Sequence, residues 1–504
     1  MTTLDTPDTV ASAAAARARV LRGAGLGGLA LAALLVATGR PWQLLALAVA
    51  AGLLAVAVWR PLWLLWASVL TLIIIPTYVR FNLLPGLPAL PAALALLVLL
   101  CGTLLLARLF GAHRLEPLRP AGRRMARAMA LFGGALAVSL FDARTGADSI
   151  DFWVKIVVVP ALLCYAMLRL LHGVAELREL FGLLVIGAVI AALYAVGEFV
   201  SGTNIVLQYF EGQGPEADWY WEGADFARAG QLQRTYSLLT NPIEFGALLS
   251  MVVPYTALRL MDASTGRARA GWALAAVLLL VGIALSFSRG PMVAVAVTSA
   301  GLACFFPKLR RWLVLGLAAA LLALAVAWPW VGDRLGDRIG DAYNVTLRLK
   351  LWSVAGHMAA DHPLLGVGLG NFPEYQMQTL NRHRISVLTE PNALRVHTAE
   401  SLYFQLAAET GALGLLALSV LTWALLRLVW SLWQRLPPGE ARILLFASVA
   451  GVVAYAVNGL TVVVFQLYVI TVTCGFMFGA LLLLDRLAGE PHASGDPNRA
   501  GGQR

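Results

Sequence analysis

Apolar runs of about 20 residues, long enough to cross a bilayer, recur from one end of this chain to the other and constrain its fold more than any motif. About fourteen spans are expected on that criterion, near 23–39, 42–59, 62–78, 89–110, 126–142, 152–170, 180–200, 237–258, 271–287, 290–306, 312–330, 402–424, 443–459 and 461–484. Gly-rich hairpins around Arg289 and Gly459 leave room for re-entrant or broken helices. The expected fold class is therefore all-α: a polytopic integral membrane protein with about 12–14 transmembrane helices and a large extracytoplasmic helical loop segment.

Composition agrees. Charged residues make up 13% of the 504, hydrophobic residues 59%, and the mean hydropathy is +0.75; a soluble globular domain is nearer a quarter charged. Cys101, Cys164, Cys304 and Cys474 all fall in apolar runs, which suits packing and gives no disulfide or metal framework. The net charge of +10 comes from arginines beside spans and is no sign of nucleic-acid binding. Residues 1–22 read as a cytoplasmic tail leading into a signal anchor, since the first apolar run is too long for a cleaved signal. Residues 23–485 form the membrane domain, and the polar, Gly/Pro-rich 486–504 is an expected disordered cytoplasmic tail.

With the N-terminus inside, alternate short loops carry Arg114, Arg119, Arg123 and Arg124; Arg259, Arg267 and Arg269; Lys308, Arg310 and Arg311; and Arg427, Arg435 and Arg442. The opposite loops carry only Arg40, Arg80, Arg144 and Arg289, with Lys155 close by. This positive-inside pattern puts both termini in the cytoplasm. Two long segments then lie outside. The first, 201–235, is rich in aromatics and carboxylates, which suit an interfacial belt or sugar stacking equally. The second, 331–400, begins with a mixed-charge interfacial helix, continues as a helix over 347–360 and turns at Pro363, Gly366, Gly368 and Gly370. The Gly366-Val-Gly368-Leu-Gly370 run fails as a dinucleotide fingerprint because no strand precedes it, and a structural turn is the plainer reading.

Four short motifs follow in order: Arg234-Thr-Tyr-Ser-Leu-Leu-Thr-Asn241-Pro242; Ser286-Phe-Ser288-Arg289-Gly290; Trp352 through Gly366-Val-Gly368-Leu-Gly370-Asn371-Phe372; and His397-Thr-Ala-Glu400 leading to Glu409-Thr-Gly411-Ala-Leu-Gly414. In this order and topology they resemble the O-antigen ligase and O-antigen polymerase superfamily over roughly residues 180–420. Those are bacterial inner-membrane glycosyltransferases. The resemblance implies a polyprenyl-diphosphate-linked oligosaccharide donor and a glycan or lipid A core acceptor. It also implies transfer on the outer face of the cytoplasmic membrane without nucleotide sugar, metal or other cofactor. Other polysaccharide-assembly proteins are expected partners.

The residues carry matching chemistry. An anionic lipid diphosphate at headgroup depth needs cations at the outer ends of spans. Arg289, in a very short outer turn, suits a bidentate phosphate clamp or, more plainly, a snorkelling interface residue. Arg234 and Arg348 are further diphosphate-binding candidates, Lys350 a supporting one, and a solvated helix face would also explain the last two. Glu244, inside a span near its outer end, needs a partner, expected to be Arg289 or Arg234. The acceptor hydroxyl needs a general base, and His397 is the expected catalytic residue, with Glu400 fixing its tautomer. A helical spacing of three would put the two on one face. The family's histidine falls nearer the position of Glu400, so the carboxylate is the alternative base; a hydrated loop histidine is the bland reading. Missing ligase-like spacing favours polymerisation of O-antigen or exopolysaccharide repeats over ligation. A polysaccharide or lipid transporter is the competing class, but transporters gather charge at the midplane, and here polar residues gather on one face.

Overall fold

The computed structural model describes residues 41–77, 79–81, 90–109, 117–142, 146–209, 234–308, 310–311, 342–385 and 398–488. The expected spans 23–39 and 312–330, the mixed-charge stretch after 331, the aromatic part of 201–235 and the C-terminal tail lie wholly or mostly outside them. The described chain is all-α apart from a two-residue ladder, Arg80–Phe81 against Leu90–Pro91. Nine of its helices are long and apolar enough to cross a membrane, or ten if one bent pair counts as a span.

That pair is α1 (Pro41–Trp59) and α2 (Pro61–Ile74), which meet at 118° across Arg60. Pro61 disfavours helical backbone at the residue before it, and Arg60 takes φ −137° and ψ 57°. The two runs expected as spans, 42–59 and 62–78, are thus joined by a sharp bend. Next come α3 (Ala92–Leu109), α4 (Pro120–Val138), α5 (Gly146–Trp153), α6 (Val159–Leu170), α7 (Val174–Ser201) and the short α8 (Ile205–Tyr209). A π-turn, Val154–Val158, joins α5 to α6, so that Ser149–Leu170 is one span with a bulge. Pro160 explains the bulge: it has no N–H to donate, and the ladder steps to the wider Val159 N–H to Val154 O bond.

The second half holds α9 (Pro242–Asp262), α10 (Gly266–Leu285), the shorter α11 (Arg289–Phe305), α12 (Ala342–Asp361), α13 (Phe372–Arg382), α14 (Leu402–Arg435), α15 (Glu440–Asn458) and α16 (Tyr468–Leu487). Several helices outrun their apolar cores. α4 begins at Pro120, taking Arg123 and Arg124 into its first turns, and α14 continues to Arg435, because Arg and Gln are good helix formers outside hydrocarbon. α16 is almost wholly buried and forms the axis of the bundle. It packs on α6 and α15, with Gly475 against Pro160 and Gly479 against Met167. Small residues let such helices approach closely where lipid gives no hydrophobic drive to associate. Cys101, Cys164 and Cys474 are buried as expected; Cys304 is exposed.

α14 is broken at Gly411, whose φ of 58° and ψ of −150° are closed to most residues. The break frees backbone groups that must be paired again inside a bundle. The glycine run does this. Val367 and Gly368 donate to the carbonyls of Ala408 and Glu409, and Ala412 and Leu413 donate to those of Pro363 and Leu364. Gly366, Gly368 and Gly370 all have positive φ. The run is a structural turn, and its function is to splice a membrane helix.

Candidate functional site

Four acids are buried inside the described helices: Glu198, Glu244, Glu409 and Asp485. Each is bound to backbone N–H groups of another segment. Glu198 accepts from Tyr236 (3.1 Å) and Ser237 (2.7 Å). Glu244 accepts from Val469 (2.8 Å) and from the Thr240 hydroxyl (2.9 Å). Glu409 accepts from Phe372 (3.3 Å) and from the Gln405 amide (2.6 Å). Asp485 accepts from Gly122 (3.0 Å) and pairs with Arg435 at 2.6 Å. A carboxylate in an apolar bundle is costly unless its oxygens are occupied, and these four tie loops and helix starts together.

Glu400 differs. It is half-buried, and its carboxylate is approached by side chains: Arg348 Nη2 at 3.4 Å and Thr398 Oγ1 at 3.4 Å. The positive charge of Arg234 also bears on it. Burial outweighs these neighbours and pushes the Glu400 carboxyl above the usual carboxylate range, while Arg348, the Thr398 bond and Arg234 pull the other way. Its backbone has φ 51°, uncommon for a residue with a side chain. The segment is fixed around it: Ala399 N–H donates to Gln405 Oε1 (2.7 Å), and Leu402 N–H donates to Gly459 O (2.8 Å). The helix starts only at Leu402, behind an extended Ser401. The expectation that His397 and Glu400 share a helix face is therefore wrong at its second member: Glu400 sits in a strained turn held by Gln405 and Gly459. His397 itself lies outside the described residues.

The cations come from separate elements. Arg348 belongs to α12; Lys350, two residues on, is more than half a turn around that helix and is half-exposed on another side. Arg234 is placed by the loop that Glu198 grips, where Ser237 has φ 58°. Its guanidinium donates to Ser286 O (3.2 Å) and Ser288 Oγ (2.8 Å). Ser288 precedes α11, and the exposed Arg289 is that helix's first residue. A cation at a helix N-terminus runs against the dipole, so Arg234, Arg289 and the start of α11 form one positive locus. Asn241 caps α9 through its side chain, accepting from Ile243 N–H (2.7 Å). Glu244, one turn later, spans from α9 to the start of α16.

The structure thus brings Arg234, Arg348 and Glu400 together, sets Arg289 beside Arg234, and turns Lys350 elsewhere. The other described histidines of residues 342–385 make contacts around the α12–α13 pair. His383 Nε2 lies 3.0 Å from Asp361, His357 Nδ1 is 2.7 Å from Ser353 O, and His362 meets Tyr375 edge-on. His383 and Arg382 hold the Asp361 carboxyl below its usual value. Sequence reading missed Glu198, for which a lone acid within the apolar run 180–200 was the available signal; Ser286 and Ser288 were quoted in a motif but given no role.

A helical bundle crossing the membrane many times, with an acid and converging arginines at one end, defines a polytopic membrane protein with a polar site at a bilayer surface. A family model described as O-antigen ligase matches residues 274–419, a stretch that includes Arg289, Arg348, His397, Glu400 and Glu409. Over that stretch, less than a third of the chain, the protein is similar to O-antigen ligases. No curated protein matches the chain.

Proposed function

We propose that the protein transfers a glycan from a polyprenyl diphosphate carrier to an acceptor hydroxyl at the outer face of the cytoplasmic membrane. The observation that carries this reading is the company of Glu400: a carboxylate left to guanidinium and hydroxyl partners, where each of the four described buried acids is bound to backbone. In the reaction the acceptor oxygen attacks the anomeric carbon and the bond from that carbon to the diphosphate oxygen breaks. The diphosphate leaves with the bonding electrons, and the hydroxyl proton passes to the base. Arg234, Arg289 and Arg348 stabilise the departing diphosphate, and His397 with Glu400 takes the proton, His397 as base and Glu400 as its orienter. The acceptor is a second lipid-linked repeat, which makes the enzyme a polymerase. The ligase description of the matching family supports a second reading in which the acceptor is a lipid A core sugar.

The test is a reconstituted assay with a polyprenyl-diphosphate-linked oligosaccharide, following release of the carrier diphosphate and growth of the glycan. Arg289→Ala should abolish release in protein that still folds and inserts, and Arg289→Lys should restore little, because a point charge cannot replace the planar fork. Carrier release at the wild-type rate in the alanine variant would remove Arg289 from the site.

A further inference from the structure

One short turn of chain touches both halves of the proposed site. α15 ends at Asn458, and the hairpin that follows is wound on itself. Leu460 N–H donates to Val457 O (3.1 Å), and the Thr461 and Val462 N–H groups donate to Asn458 O (3.0 and 3.2 Å). On one side this hairpin holds the Glu400 turn. Gly459 O accepts from Leu402 N–H (2.8 Å) and from the Ser401 hydroxyl (3.4 Å), and the Tyr403 hydroxyl donates to Ala456 O (2.9 Å). On the other side it abuts the start of α11. A Cβ on Gly290, the residue after Arg289, would stand 2.6 Å from Thr461 Oγ1 and 3.3 Å from Asn458 Oδ1. The hairpin lies outside residues 274–419, the stretch matched by the family model.

Packing alone does not account for Asn458. It is fully buried, and its amide nitrogen donates to Ser250 Oγ on α9 (3.0 Å) and to Ala454 O (2.8 Å), which fixes the way the group points. Its Oδ1 has no hydrogen-bond partner among the described residues. A buried acceptor left unbound costs stability that an apolar side chain of the same shape would not. Its place supplies a reason. Ser288, which precedes α11, makes no side-chain cap to that helix and accepts from Arg234 instead. The Asn458 carbonyl oxygen, close to Gly290, puts partial negative charge at the positive end of a helix that opens with a cation.

We infer that the Asn458–Thr461 hairpin is a positioning element: it holds the Glu400 carboxylate in register with Arg289, so that proton removal and diphosphate departure occur on one donor. This role rests on the proposed transfer reaction, whereas the contacts themselves do not. Both contacts are glycine-close. Besides the approach of Thr461 to Gly290, a Cβ on Gly459 would stand 3.2 Å from Leu402 Cβ. A push at either contact moves the lighter part. α11 has 17 residues and packs on α9 and α15, so the hairpin yields and carries the Glu400 turn with it through Gly459 O.

The experiment uses the full chain in proteoliposomes, with a polyprenyl-diphosphate-linked oligosaccharide as donor. Gly290→Ala, Gly459→Ala, Thr461→Ala and the double variant Gly290→Ala/Thr461→Ala are compared. Alanine suits a helix better than glycine, so a loss in Gly290→Ala reports the contact with Thr461, whose branched side chain is stiff. In Gly290→Ala and Gly459→Ala, kcat should fall about 10- to 100-fold, as a small misplacement of a reacting group does, with donor KM changed far less. The acid limb of the pH profile should move down, because a loosened turn gives the Glu400 carboxylate more water. Without donor, hydrogen–deuterium exchange at the Leu402 amide should be about tenfold faster, since its bond to Gly459 O opens more often. Thr461→Ala removes the oxygen that Gly290→Ala strikes, so the double variant should return kcat, acid limb and exchange to within about threefold of wild type. Wild-type kcat and exchange in both glycine variants would overturn the inference. A loss in Gly290→Ala that Thr461→Ala fails to restore would overturn it too, by confining the effect to α11. If the wild type transfers no glycan yet the exchange pattern holds, the transfer reading fails and the link from α11 to the Glu400 turn stands.

Discussion

Two arginine–carboxylate pairs sit at opposite ends of this bundle, and they are built differently. Arg435 and Asp485 meet at 2.6 Å, with the aspartate fully buried and its second oxygen taken by the Gly122 N–H at the start of α4. Arg348 and Glu400 meet at 3.4 Å, both partly exposed, with Glu400 on strained backbone and, among the described residues, no backbone N–H of another segment bound to it in the way the buried acids are bound. The first pair has its oxygens occupied and locks three helices. The second keeps an acid and a guanidinium within reach of a further group. An ion pair in a membrane protein is structural when its acceptors are filled by the fold, and available for chemistry when they are shared among side chains.

The sharpest way to break this contrast is to neutralise each acid in turn. Glu400→Gln should lower glycan transfer by about 100- to 10,000-fold, as expected for loss of a base or its orienter, with the detergent unfolding midpoint unchanged or slightly raised. Folding raises this carboxyl's pKa, so its contribution to stability is favourable at low pH and is lost as pH rises through the folded value. At neutral pH the ionised group is a net cost to the fold, and the amide removes it. Asp485→Ala should do the reverse. With Arg435 and the Gly122 N–H unpaired, it should destabilise by about 3–5 kcal/mol, read as a large drop in the same midpoint, and activity should fall only in step with folded protein. Equal destabilisation by both substitutions would erase the distinction.

Gly411→Ala sharpens the comparison from the side of the backbone. An alanine there takes a glycine-only conformation and puts its Cβ 2.7 Å from the Leu364 carbonyl group. A destabilisation of about 1–3 kcal/mol is expected, with transfer reduced because the splice from Pro363 to Gly368 carries the helix that starts beside Glu400. The smallest effect is in the pH profile. Transfer should fall on the acid side at a pH above the ordinary carboxylate range, because burial holds the Glu400 proton. Arg348→Ala removes a cation that favours the ionised form, so the acid limb should move further up. A limb that stays put or moves down would mean that Arg348 does not act on this carboxylate.

Periodicity and length made the helices legible, because hydrocarbon demands long apolar runs and helix formers extend them into the flanking polar turns: 237–258 becomes Pro242–Asp262, and 461–484 becomes Tyr468–Leu487. Arg234 and Glu400 were also legible as a cation and an acid at the starts of spans, and Arg348 as a cation on a helix of the 331–400 segment. The bend at Arg60 was hinted at only by Pro61. The break at Gly411 was concealed by sequence that is apolar on both sides, so the expected span 402–424 ran straight through it.

By itself the sequence determined that this chain fills a membrane with helices, where those helices fall, and which charged residues gather at one end. These follow from the one-dimensional cost of placing polar groups in hydrocarbon. Only the tertiary structure decided that Glu198 grips the loop bearing Arg234, that the glycine run splices a broken helix, and that Glu400 alone among these acids is left to side chains. Each depends on which backbone N–H reaches which oxygen across tens or hundreds of residues, and no local pattern encodes that.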